Sequence, residues 1–235
     1  MRRMSQVGGG ALVTLACLFL AVTVHAGFYF ESEQVMQGVP GQPDQQAIIK
    51  TYLSDDASRT DRGDSVTIMN YKTMTSYELN PMDKTYTQHD MTQMQGIPKM
   101  EGPQKEQFEE MMERMAASMK IEPTDETRTI AGYTCRKYDV QVMMAKGTYW
   151  VSKDIKGYDN LRRVTLNMAK AFEKNPMMKQ MNILGMMDRI DGFPVETVMN
   201  VMGGKVTTTL KTIEEKSLDR TLFEIPAGYR LVVNE

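Results

Sequence analysis

Short segments in which apolar and polar residues alternate recur along the first third of the chain, at 28–36, 47–53, 66–71, 76–79 and 85–87, each bounded by Gly, Pro, Asp or Asn. Alternation of period two is what a strand with one buried face requires, and closely spaced turns allow only antiparallel neighbours. The chain is therefore expected to build an antiparallel sheet. Asn80-Pro81-Met82-Asp83 is a turn signal, with Pro set for a φ near −65° and Asn able to bond the backbone two residues on. The clearest hairpin lies later, where 195–202 and 205–213 flank Gly203-Gly204, a pair suited to a tight primed turn. That turn predicts Met202 opposite Lys205. Val195, Thr197, Met199 and Val201 then face the core with Val206, Thr208, Leu210 and Thr212, while Glu196 meets Lys211 and Asn200 meets Thr207.

Helical periodicity interrupts the strands twice. Phe108, Met111, Met112, Met115 and Met119 fall on one stripe of a helix near 104–120. In the region 159–185, a helix capped by Asp159 presents Leu161, Val164, Met168 and Phe172, and another starts at Asn175-Pro176 and ends by Gly185.

The N-terminus reads as an export signal. Arg2 and Arg3 supply the charge, 11–24 is apolar, and Val24-His25-Ala26 places small residues at the cleavage positions. Residues 1–26 are expected to be a cleavable signal peptide, and 27–235 a single β-rich domain. The apolar run is too short for a membrane span, so no stable span is expected after cleavage. Export places the domain in the periplasm or otherwise outside the cytoplasm. Without Arg2 and Arg3, 26 basic residues face 30 acidic ones, a net charge of −4 that leaves no basic field for nucleic acid.

Candidate chemistry is sparse. His89 is the one histidine beyond residue 26, and neither a GxSxG elbow nor a phosphate-binding glycine loop is present, so no enzyme and no cofactor are expected. Cys135 is the one cysteine beyond residue 26, which excludes an internal disulfide in the cleaved monomer. Strict alternation puts Tyr138 and Val140 on one face and Cys135, Lys137 and Asp139 on the other, so either Cys135 is exposed or a bulge shifts the register; a buried, inert thiol is the expected fate of a lone cysteine, against an intermolecular or reactive role.

Methionine is the compositional outlier, with 23 residues, or 21 once Met1 and Met4 leave with the signal. Three readings compete. Thioethers suit Cu(I), and His89, Met91 and Met94 form a candidate metal site. Methionines also fill irregular cores, as the stripe from Phe108 to Met119 suggests. In the third reading, Phe108, Met111, Met112, Met115 and Met119 line a ligand cavity under a helical lid.

Five phrases recur as a set: Ser76-Tyr77-Glu78-Leu79-Asn80-Pro81, Ile130-Ala131-Gly132-Tyr133-Thr134-Cys135, Tyr149-Trp150-Val151-Ser152-Lys153-Asp154, Gly192-Phe193-Pro194-Val195, and Leu222-Phe223-Glu224-Ile225-Pro226-Ala227-Gly228-Tyr229. In order and spacing they resemble a family of exported bacterial domains of unknown function, related to the outer-membrane lipoprotein carriers of the LolA and LolB type. The resemblance implies an α+β, mainly β fold: a curved antiparallel sheet forming an incomplete barrel, with helices packed on its concave side around an apolar cavity. It implies a lipid, lipoprotein or other apolar ligand or partner bound between sheet and helices. No carrier residue maps onto a position here, and the helix at 104–120 is not part of the pattern.

Overall fold

The computed structural model describes residues 24–93, 102–142 and 145–233. Residues 1–23 of the expected signal, and Met94, lie outside the described residues. In chain order the elements are β1 (Val24–Gln37), β2 (Gln45–Ser54), β3 (Ala57–Asp61), β4 (Val66–Asn70), β5 (Thr75–Asn80), β6 (Thr85–Asp90), α1 (Pro103–Ser118), β7 (Lys120–Ile130), β8 (Tyr133–Val142) and β9 (Ala145–Ser152). They continue with α2 (Tyr158–Phe172), α3 (Pro176–Gln180), α4 (Ile183–Arg189), β10 (Phe193–Val201), β11 (Gly204–Asp219), a 3-10 turn (Arg220–Phe223) and β12 (Arg230–Leu231).

The twelve strands form one open sheet in the order β12-β6-β5-β4-β3-β2-β1-β11-β10-β9-β8-β7. Only β12 runs parallel to its neighbour, β6. The fold is α+β and mainly β: the strand patterns predict the antiparallel sheet, and the incomplete barrel carrying helices is what the resemblance implies. β3 had no sequence signal: Ala-Ser-Arg-Thr-Asp lacks apolar alternation, and its neighbours impose extension, with Ser58 buried and Arg59 donating to the Leu222 carbonyl at 3.3 Å.

Register assigns the two faces. Phe28 pairs with Leu53, Ser32 with both Ile49 and Leu210, and Tyr138 with Tyr149, and this face carries the helices. Leu161 and Val164 of α2 join Phe28, Leu53, Val195 and Leu210 in the largest buried cluster. Met186 and Ile190, from α4 and its C-cap, pack on Ile121, Tyr138, Val140 and Val151. On the reverse face Val66, Ile68 and Leu79 are covered by Tyr77, Tyr86, Phe223 and Tyr229. Burying both faces of part of the sheet gives the domain its core without a disulfide.

The final hairpin forms with a register two residues away from the expected one. Its turn is Met202-Gly203, both at positive φ (51° and 88°), and Asn200 pairs with Lys205. Gly204 belongs to the strand, and its backbone presses on the loop between β1 and β2: a Cβ there would lie 2.5 Å from the Val39 amide nitrogen. A two-residue shift leaves each side chain on its face. Val195 and Leu210 are therefore buried as expected, whereas Thr212 is exposed. The cross-strand partners change: Glu196 pairs with Arg128, Lys211 with Glu33 at 2.5 Å, and Asn200 donates to the Lys146 carbonyl at 3.2 Å.

Local capping rules held unevenly. The Asn80 side chain accepts from the Met82 and Asp83 amides at 3.0 and 3.1 Å, closing the expected turn. Asn175 caps α3 by accepting from the Met177 and Met178 amides. Asp159 does not cap α2; left-handed Gly157 occupies that position, and Asp159 sits in the first turn. The expected single helix from Asn175 to Gly185 is broken by Asn182, left-handed at φ 51°, which caps α4 and lets it run past Gly185 to Arg189.

Candidate functional site

Two sides of α2 do different work. Leu161 and Val164 face the sheet, while Tyr158, Thr165 and Leu166 turn toward α4 and the start of β10. There Met187, Ile190, Phe193 and Pro194 complete a groove of about 230 Å3 whose wall is almost wholly apolar. Gly192 shapes its floor: at φ 151°, a Cβ would sit 3.0 Å from Val151 Cγ2, so glycine lets the chain enter β10 directly over β9. Phe193 is anchored edge-on against Phe30, with ring centroids 5.6 Å apart.

Polar groups gather at the rim. Arg162 on α2 bridges to Asp188 on α4 at 2.7 Å, and Lys153 pairs with Asp191 at 2.5 Å. The Tyr158 hydroxyl is buried without a hydrogen-bond partner. Burial holds that phenol above its ordinary range, Asp191 reinforces the shift, and Arg162 and Lys153 oppose it.

The five residues expected to line a cavity lie elsewhere. Met112 and Met119 are buried with Met181, and Phe108 and Met115 pack around them together with Met177, Ile183 and Met186. Met111 is 47% exposed. None of the five lines the α2–α4 groove. The structure joins four of them into a methionine layer between α1, α3 and α4. Met186 touches both this layer and the sheet, and its neighbour Met187 lines the groove. In the sequence the groove is marked by the Gly192-Phe193-Pro194 phrase, one of the five that carry the family resemblance.

His89 lies on β6, paired with Ser76, its Nε2 2.9 Å from the Thr87 hydroxyl. Met91 follows β6; its amide donates to the Met74 carbonyl at 2.8 Å and its carbonyl accepts from Asn175 at 2.7 Å. Among the described residues no group of three His, Cys, Asp or Glu side chains is placed to hold a metal ion. Cys135 is fully buried, although β8 runs against β9 without a bulge. The burial expected of a lone cysteine is what the structure has: Trp150, Ile130 and Tyr133 belong to the same cluster as the thiol, and the register shift nearby lies in β7, against β8, between Pro123 and Thr127. Burial pushes the thiol pKa up, which suppresses the reactive thiolate.

The family described as Domain of unknown function (DUF4412) matches residues 35–229, most of the chain. The chain belongs to that family. Within the DUF4412 match lie β2 to β11, all four helices and the 3-10 turn. A search of curated proteins finds no match. Among solved structures, PNGF-II in a C2 space group aligns with 16% identity and a TM-score of 0.39, over 88% of this chain and 30% of that one. This chain therefore spans about a third of that protein. An uncharacterized conserved protein from Thermus thermophilus aligns with 7% identity and a TM-score of 0.46, over 88% and 90% of the two chains. The LolA superfamily protein NE2245 from Nitrosomonas europaea gives 8% identity and a TM-score of 0.34, over 85% and 90%. These similarities are distant, and the fold rests on the strand order itself. No helix among the described residues is long and apolar enough to cross a membrane. The comparisons do not support the copper reading of His89, Met91 and Met94, and Met94 lies outside the described residues.

Proposed function

We propose that this DUF4412 chain is an exported, non-enzymatic domain that binds a lipid or other apolar ligand or partner between its sheet and helices, in the periplasm or otherwise outside the cytoplasm. The observation that carries the reading is the apolar groove of about 230 Å3 between α2, α4 and the start of β10. A concave apolar site with a few polar groups at its edge has the form of a small-ligand site. The methionine layer behind α4 supports the same reading. Thioether side chains repack at low cost, so Met186 and Met187 give the groove a wall that adjusts to ligands of different length. In this proposal Phe108, Met112, Met115 and Met119 back the site, and Met111 marks its outer surface.

The test is titration with a fluorescent fatty-acid analogue, comparing the parent with Thr165→Trp, which fills the groove from α2. The parent should bind, and the variant should lose about tenfold or more in affinity while keeping its unfolding transition. Absence of binding by the parent overturns the reading.

A further inference from the structure

Between α1, α3 and α4, six of the eight side chains in the packed layer are methionines: Met112, Met115, Met119, Met177, Met181 and Met186. The three clusters built on the sheet differ in kind, since no methionine is among their buried members. The attachment of one helix therefore rests largely on sulfur, and the core of the sheet does not. Phe108 and Ile183 complete the layer, so none of its side chains carries an N–H or O–H. The Ser118 hydroxyl, at the end of α1, already donates to the Met115 carbonyl at 2.7 Å.

A thioether stays apolar only until it is oxidised. Its sulfur lone pair attacks one oxygen of hydrogen peroxide. The S–O bond forms as the O–O bond breaks, and the displaced hydroxide takes the proton of the attacked oxygen and leaves as water. Sulfur is oxidised by one electron pair and the peroxide is reduced by the same pair. The sulfoxide holds a strong acceptor that the layer cannot match with a donor, so keeping it buried is costly. Moving α1 away gives that oxygen water. Met115, Met177 and Met186 are half-buried, which lets a small oxidant enter from the layer's edge. Met82 and Met202, 87% and 79% exposed, lie outside the layer and react without touching α1.

We propose that this layer is an oxidation-sensitive modification site: conversion of its methionines to sulfoxides by hydrogen peroxide frees α1 from α3 and α4 while the sheet stays folded. The proposal stands apart from what the α2–α4 groove binds, and no ligand enters its test.

The experiment treats the full chain with graded hydrogen peroxide and locates sulfoxides by peptide mass spectrometry. Limited proteolysis within 103–118 and the unfolding transition of Trp150 are followed alongside. Cleavage should rise about tenfold or more as sulfoxides appear in the layer, the worth of one buried acceptor left unpaired, with the Trp150 transition kept. Oxidation confined to Met82 and Met202 should leave cleavage unchanged. Methionine sulfoxide reductases, one for each epimer, should restore protection. A variant with leucine at all six layer positions, similar in bulk and without sulfur, should stay protected at every dose. Layer sulfoxides with α1 still protected, a layer left unoxidised once Met82 and Met202 are fully oxidised, or loss of the Trp150 transition together with α1 overturns the proposal. So does a rise in cleavage of the leucine variant equal to the parent's. Should that variant not fold, failure of the reductases to restore the parent's protection overturns it.

Discussion

Tyr71 closes the turn between β4 and β5 at 3% exposure, its ring edge-on to Phe172 of α2 at 5.9 Å. Its hydroxyl has no hydrogen-bond partner. Burial pushes the phenol up to about 12, and Ser58, close enough to favour the phenolate without completing a hydrogen bond, offsets this only in part. A phenol raised in the folded state keeps its proton where the unfolded chain has lost it. Its contribution is thus fully present below about pH 10 and lost as pH rises through about 12. The loss is on the order of 2 kcal/mol. Urea unfolding at pH 8 and pH 11 should show Tyr71→Phe gaining relative stability at the higher pH; an equal difference at both would remove the buried phenol from the account. Residue-scale features governed by neighbours along the chain were legible in the sequence, as at Asn80 and Asn175, whose amide caps need only the next three residues. The burial of Cys135 was legible as the usual fate of a lone cysteine, but its neighbour Trp150 was not, because it lies one strand away on the face that alternation assigns to solvent.

At the scale of elements, α1 is tied to the rest of the molecule through methionine. Its buried contacts run from Met112 and Met119 to Met181, and Met186 joins this cluster to the one on the sheet. Truncating a buried methionine to alanine costs roughly 2 to 5 kcal/mol. For Met112→Ala with Met119→Ala, that cost falls on a single helix, which should open as its own unit. Limited proteolysis should then cut within 103–118, while the unfolding transition reported by Trp150 fluorescence stays in place. Loss of the Trp150 transition in the double variant would instead make α1 part of the main cooperative core. The periodicity of α1 and α2 was plain in the sequence because each buries one stripe. The register of the final hairpin was two residues off, since Gly203 and Gly204 are equivalent as turn residues until Gly38 and Val39 close against the second of them.

For the whole molecule, the sequence announced an antiparallel sheet with helices on one face, but not which strands stand side by side. Strand pairing between distant segments depends on closure of the entire sheet, which no local pattern encodes. The expected cleavage point meets the fold at a constrained position. Ala26 pairs with Ser217, and Gly27 is buried between Ser54 and Lys216, where a Cβ would lie 2.5 Å from the Leu53 carbonyl oxygen. The intact mass of protein from the cell envelope should correspond to a chain beginning at Gly27. Recovery of the chain in membranes with Met1 still attached would replace cleavage with anchoring.

The middle of the sheet is where β1 lies against β11, strands from opposite ends of the sequence, joined from Val24–Asp219 to Gln37–Lys205. Closing so long a loop is the slow part of folding, and the ladder cannot begin until the last strand is available. A ribosome or a secretion channel delivers the chain from its N-terminus, so β1 waits, unpaired on that side, for nearly the whole polypeptide to arrive. The fold therefore carries its own delay: β1 lacks its β11 neighbour until residues 205–219 have been delivered.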